Sequence, residues 1–138
     1  IAIIHDVIIT VGIFSFLSYE VNLSIVAAVL TIVGYSMNDT VVIFDRIREN
    51  LKKYSRIAIA DISDLSTNQT LSRTLITSVT TLLALFSIYI FGGAILKGFS
   101  FAMIIGVIVG TYSSIFVATP ILNYTKVNQK TVLKDEAK

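Results

Sequence analysis

The stretch Leu23-Ser-Ile-Val-Ala-Ala-Val-Leu-Thr-Ile-Val-Gly-Tyr-Ser-Met-Asn-Asp-Thr-Val-Val-Ile-Phe44 decides how the rest of the chain is read. As a helix rising 1.5 Å per residue it is long enough to cross a hydrocarbon core of roughly 30 Å. Its one formal charge is Asp39, beside Asn38. An ionised carboxylate near a membrane helix centre costs about 2.5–3.5 kcal/mol on insertion scales, so such residues mark ion paths, partner charges or water-lined cavities.

The surrounding chain has the same character. Hydrophobic residues make up 54% and charged residues 14% of the 138 residues, and the mean hydropathy is +0.81; a water-soluble domain does not have this composition. The apolar residues fall into four blocks, near 1–18, 23–44, 71–91 and 99–122, which predict an all-α integral membrane protein with four transmembrane helices. Ser18 to Asn22 reads as a tight polar turn. Gly92-Gly93 through Lys97-Gly98 reads as a second reversal. The chain opens on Ile1 inside an apolar block with no basic leader, so it is expected to be a fragment rather than to start with a signal peptide.

Charge orients the blocks. Arg46, Arg48, Lys52, Lys53 and Arg56 lie in the segment 45–70, and Lys126, Lys130, Lys134 and Lys138 in the tail 123–138. The other two connections carry Glu20 and Lys97. The positive-inside rule then puts the 45–70 loop and the tail in the cytosol, and the two turns outside. Asp45 to Tyr54 reads as a helical extension, with Glu49 and Lys53 at i,i+4 spacing. Asp61 to Asn68 reads as polar and turn-rich, a connection at the lipid headgroups or a docking surface.

Depth brings three ionisable groups together. Asp39 lies about 9 Å inside the cytosolic end of its span, Arg73 about one turn into the next, and Asp6 about 20 Å from the outer turn. Asp39, Arg73 and Asp6 therefore share a level, although Arg73 also fits a flank snorkelling to the interface and Asp6 a water-exposed helix end. His5 points away from Asp6 on a helix and reads as a packing residue. Thr31, Tyr35, Asn38 and Asp39 share one helix face. Thr70, Thr74, Thr77, Ser78 and Thr81 form a hydroxyl stripe beside Arg73, either helix–helix glue or a wet pathway. Ala102, Gly106, Gly110, Ser114 and Ala118 make a small-residue ridge for close helix packing, within a larger bundle or against a partner.

Catalysis finds little support. With no cysteine and one histidine, thiol chemistry and multi-histidine metal centres are excluded; no zinc-protease, serine-hydrolase or phosphate-loop motif occurs. Asp6 and Asp39 supply two carboxylates, but an aspartyl protease needs them to share a proton, and Arg73 at the same level favours the charged form. No metal, cofactor or nucleic-acid partner is expected.

The segment Gly34-Tyr-Ser-Met-Asn-Asp-Thr-Val-Val-Ile-Phe-Asp-Arg-Ile-Arg-Glu-Asn50 resembles the hallmark of the SecF family of bacterial protein-export membrane subunits. So do His5-Asp-Val-Ile-Ile-Thr10, Asn68-Gln-Thr-Leu-Ser-Arg-Thr-Leu-Ile-Thr77, Phe91-Gly-Gly93 and Gly106-Val-Ile-Val-Gly-Thr-Tyr-Ser-Ser114. The resemblance covers nearly the whole chain and fades only in the tail. It implies the last four spans of a six-helix half-bundle of the resistance-nodulation-division transporter type, paired with SecD in a bacterial inner membrane, the C-terminus in the cytosol. It further implies proton-driven assistance to the SecYEG channel in preprotein export, with Asp39 and Arg73 in proton conduction. A related transporter of lipids or small molecules, or a passive membrane scaffold, are the other readings.

Overall fold

The computed structural model describes residues 2–18, 22–54 and 57–124. The basic tail after 124, the residues Tyr19, Glu20 and Val21 of the first turn, and Arg56 lie outside the described residues. Four principal helices follow one another: α1 (Ala2–Phe16), α2 (Leu23–Lys53), α3 (Ile59–Phe91) and α4 (Gly93–Ser113). α4 runs on through one wide π turn, Ser114–Ala118, into a short α5 (Thr119–Tyr124). Among the described residues there is no strand. By length and composition α2, α3 and the continuous Gly93–Ile121 helix are long and apolar enough to cross a membrane; α1 is a shorter apolar helix of 15 residues.

Local chemistry explains the ends. Asn22 caps α2, its side-chain oxygen accepting from the Ile25 N–H at 3.1 Å, which satisfies one of the orphan donors of a first turn. Lys52 and Lys53 close the same helix, where cations complement the carbonyl end of the dipole. Asp61 sits in the first turn of α3, where an anion is favoured for the mirrored reason.

Two connections differ from the sequence reading. Asp61–Asn68 is helical, so α3 starts near Ile59 and stands well clear of its apolar stretch; Ser and Thr tolerate a helix when their hydroxyls bond back one turn, as Ser66 does to the Ile62 carbonyl at 2.7 Å. The reversal between α3 and α4 is complete at Gly92-Gly93. Gly93 adopts φ +73°, a left-handed conformation that suits glycine, and Ala94 to Gly98 already belong to α4. The π turn has a local cause as well. Pro120 has no N–H and its ring clashes with a carbonyl four residues earlier in a regular helix, and widening the preceding turn gives that ring room.

α4 occupies the middle, packed against α1, α2 and α3. Its ridge residues Ala102, Gly106, Gly110, Ser114 and Ala118 are all buried within the chain. A Cβ on Gly106 would collide with the Ile32 side chain, and one on Gly110 would lie 3.4 Å from Ser36 Cβ and 3.8 Å from Asp6 Oδ2. The ridge thus seats α2 and α1. Two apolar clusters result. One gathers Phe14, Ile25, Ala28, Ile32, Leu85, Met103 and Val107; the other, at the basic end, gathers Ile43, Ile47, Leu51 and Ile62. On α2 the turn between these clusters carries Ser36 and Asp39, both buried.

Candidate functional site

The buried stripe of α2 (Ile25, Ala28, Ile32, Ser36, Asp39, Ile43, Ile47, Asn50, Leu51) carries Ser36 and Asp39 between apolar stretches, with Asn50 a further polar residue near its end. Ser36 and Asp39, three residues apart, are neighbours on that face. Along α3 runs a buried hydroxyl row, Ser66, Thr70, Thr74 and Ser78, one every fourth residue, whose ends meet Asn50 and Tyr35 of α2. α4 adds Ser113 and, at the start of the π turn, Ser114, and α1 adds Asp6 and Thr10. The result is a polar seam inside an otherwise apolar bundle.

Asp6 is its most completely satisfied member. It is 0% exposed, and its Oδ2 accepts from Ser36 Oγ at 2.6 Å and from Ser113 Oγ at 2.8 Å. Its Oδ1 lies 3.1 Å from His5 Nδ1, so His5 turns towards the carboxylate rather than away from it. One carboxylate thereby joins α1, α2 and α4. Hydrogen bonds to a charged acceptor contribute about 1.5–3 kcal/mol each, which offsets much of the cost of burying it.

Asp39 is the opposite case. It is 5% exposed, yet its Oδ2 has no hydrogen-bond partner among the described residues. The Arg73 guanidinium on α3 is close enough for its charge to act on this carboxylate, but the two form no ion pair among the described residues. Arg73 itself is exposed on the bundle surface. The carboxylate therefore lacks bonds and has a single cation acting on it through space, an arrangement sensitive to small helix movements.

The other predicted residues divide. Thr74 is buried in the α3 seam. Asn38 and Thr77 face outwards, and the Thr77 hydroxyl donates to its own helix at the Arg73 and Thr74 carbonyls. Thr31 likewise turns outwards, its hydroxyl donating to the Ala27 carbonyl. Tyr35 donates to Ser78 Oγ at 3.2 Å, and Ser78 shares a 2.7 Å hydrogen bond with Thr111, so a hydroxyl chain crosses α2, α3 and α4. Thr40, next to Asp39, shares a 3.2 Å bond with Ser114. Ser36 and Ser113 escaped the sequence reading because serine is common in packed membrane helices. The available signal was the i−3 spacing of Ser36 from Asp39. Glu49 pairs with Arg46, one turn back, and Lys53 lies 5.5 Å over the Tyr54 ring.

Among the described residues no three His, Cys, Asp or Glu side chains gather where they could hold a metal ion. Fold and site together define an all-α membrane protein whose interior carries two buried carboxylates, one bonded and one not. Residues 1–128 match the family described as protein export membrane protein SecD/SecF, C-terminal. The chain belongs to this family. It is 57% identical over 122 residues to the protein translocase subunit SecF of Koribacter versatilis, covering 88% of this chain and 30% of that protein. It is 59% identical over 118 residues to the SecF subunit of Vibrio alginolyticus, covering 86% and 38%. Solved structures of SecDF agree. One, described as a super-membrane-facing form, has a TM-score of 0.87 at 43% identity and covers 99% of this chain and 18% of that one. Another, of the translocon-associated SecDF from Thermus, has a TM-score of 0.87 at 46% identity and covers 91% and 17%. The chain thus spans 30% and 38% of these two SecF relatives' own length.

Proposed function

We propose that this chain is the C-terminal membrane part of a SecF subunit, and that Asp39 is its proton carrier. The observation that carries the reading is the buried, unbonded Oδ2 of Asp39 within electrostatic range of Arg73. Burial disfavours a lone carboxylate's charge and a nearby guanidinium favours it, so helix movement that alters their separation exchanges a proton for a cation contact. A membrane potential contributes about 2.3 kcal/mol per charge per 100 mV, enough to bias such a two-state element. Asp6 joins the relay through Ser36, one helical turn from Asp39.

The basic C-terminal end of α2, and with it the start of α3, face the cytosol by the positive-inside rule, and the C-terminal tail lies there too, in a bacterial inner membrane. The outward-facing Arg73, Asn38 and Thr77 are covered by the SecD partner, since an Arg and an Asn on a lipid face are costly. Coupled to SecYEG, the pair uses the proton-motive force to draw preproteins across, as a translocase subunit rather than an enzyme.

The test is made in the complete complex. Asp39→Asn keeps the side-chain shape and removes the titrating group, and proton-driven export falls to the level seen without a gradient. Undiminished export would remove the carrier role and favour a passive scaffold. Arg73→Lys keeps the charge and loses the planar fork; partial retention there, with loss in Arg73→Ala, assigns the role to charge. Full activity of Arg73→Ala would make Arg73 a snorkelling flank.

A further inference from the structure

A proton leaving Asp39 needs a route to water. Between the basic C-terminal end of α2 and the start of α3 lies a cleft of about 300 Å³ lined by Val42, Asp45, Arg46, Glu49, Gln69 and Arg73, among others. Its inner end is set by Val42, one turn from Asp39 on α2, and by Arg73, whose charge reaches Asp39. A hydrogen-bonded bridge joins the two helices here. Arg46 Nε donates to Gln69 Oε1 at 2.7 Å, and Asn50 Nδ2 donates to the same oxygen at 2.9 Å and to Ser66 Oγ at 2.8 Å.

The two halves of this bridge differ in permanence. Asn50 and Ser66 are buried, so breaking their bond strands polar atoms away from water. Arg46 is partly exposed and holds Glu49 as a second partner, so it can release Gln69 without becoming unpaired. Gln69 stays held by Asn50 when Arg46 leaves. Arg46 and Arg73 line the same cleft and repel each other.

We propose that Arg46 and Gln69 form a gate over this cleft, which admits water to Asp39 from the basic face. The proposal rests on Asp39 as the proton carrier. While Asp39 is ionised it attracts Arg73 inwards and the gate stays shut. Once Asp39 is protonated, Arg73 is no longer drawn towards it, shifts along the cleft it lines towards Arg46, pushes on it, and opens a path by which the proton leaves. Arg46 and Gln69 act here as positioning residues.

Val42→Cys in the full-length subunit, assembled in its complex and free of other reactive thiols, reports access to the cleft's inner end. Membrane-impermeant methanethiosulfonates, one cationic and one anionic, are applied from the basic face. Arg46→Ala removes the gate's moving arm and raises the labelling rate by both reagents about tenfold, the equivalent of 1.4 kcal/mol. Gln69→Glu turns the bridge into an ion pair and lowers both rates. Unchanged rates in both variants overturn the gate; so does a rise in both, which marks simple loosening of the helix contact. Labelling needs no proton flux, so an Asp39→Asn complex with normal proton-driven export refutes the carrier while these rates still judge the cleft.

Discussion

Asp6 and Asp39 share a residue type and are both buried in the bundle, and differ in what surrounds them. Asp6 holds two serine hydroxyls and faces His5; Asp39 Oδ2 holds nothing. Neutralising them should therefore act in opposite directions. Asp6→Asn replaces an acceptor that serves Ser36 and Ser113 by an amide that must turn one face towards donors. Full-length protein carrying it is expected to lose about 1.5–3 kcal/mol in reversible unfolding. Asp39→Asn removes an unbonded buried charge and leaves unfolding unchanged or shifts it upwards. Equal losses from both would mean that Asp39 is bonded after all. Helix rise alone singles out Asp6, Asp39 and Arg73 in the sequence as candidates for one depth. Which carboxylate is bonded was not readable, because it depends on Ser36 and Ser113, which lie 77 residues apart and meet only through the packing of α2 on α4.

At the scale of elements, α4 is the organiser, and its small residues explain why. The spacing of Ala102, Gly106, Gly110 and Ser114 announced close packing, but not that the partners are α2 and α1 of the same chain. Gly106→Ala drives its methyl group into Ile32 and should destabilise the bundle by about 1–3 kcal/mol, the usual range for overpacking. Ile32→Ala in the same protein should recover part of that loss, and additive losses in the two variants would show that the helices separate instead. The misread segment Asp61–Asn68 has an equally physical cause. Its Ser, Thr, Asn and Asp residues suit turns in isolation, whereas here Ser66 bonds both its own backbone and Asn50. Tertiary packing of Ile62 into the cluster of Ile43, Ile47 and Leu51 outweighs a weak local preference.

For the whole molecule, the outer faces decide what surrounds it. Ile8, Leu30, Leu83, Ile95 and Ile108 are exposed and apolar, as lipid contact requires, whereas Asn38, Arg73 and Thr77 form an exposed polar exception. A photo-crosslinker at Thr77 in the complete complex should capture the partner membrane subunit, and one at Ile108 should capture lipid. Lipid capture at both positions would leave Arg73 without the cover assigned to it. That cover matters because the proposed mechanism has a charge at the bundle surface, Arg73, govern one in its interior, Asp39. Whether Asp39 itself takes up the proton is read most directly by infrared difference spectroscopy of the full-length complex as the pH is lowered. The carboxylic C=O band of a protonated buried acid should appear on acidification, persist in Asp6→Asn and be absent in Asp39→Asn; the same band surviving undiminished in Asp39→Asn would contradict the account.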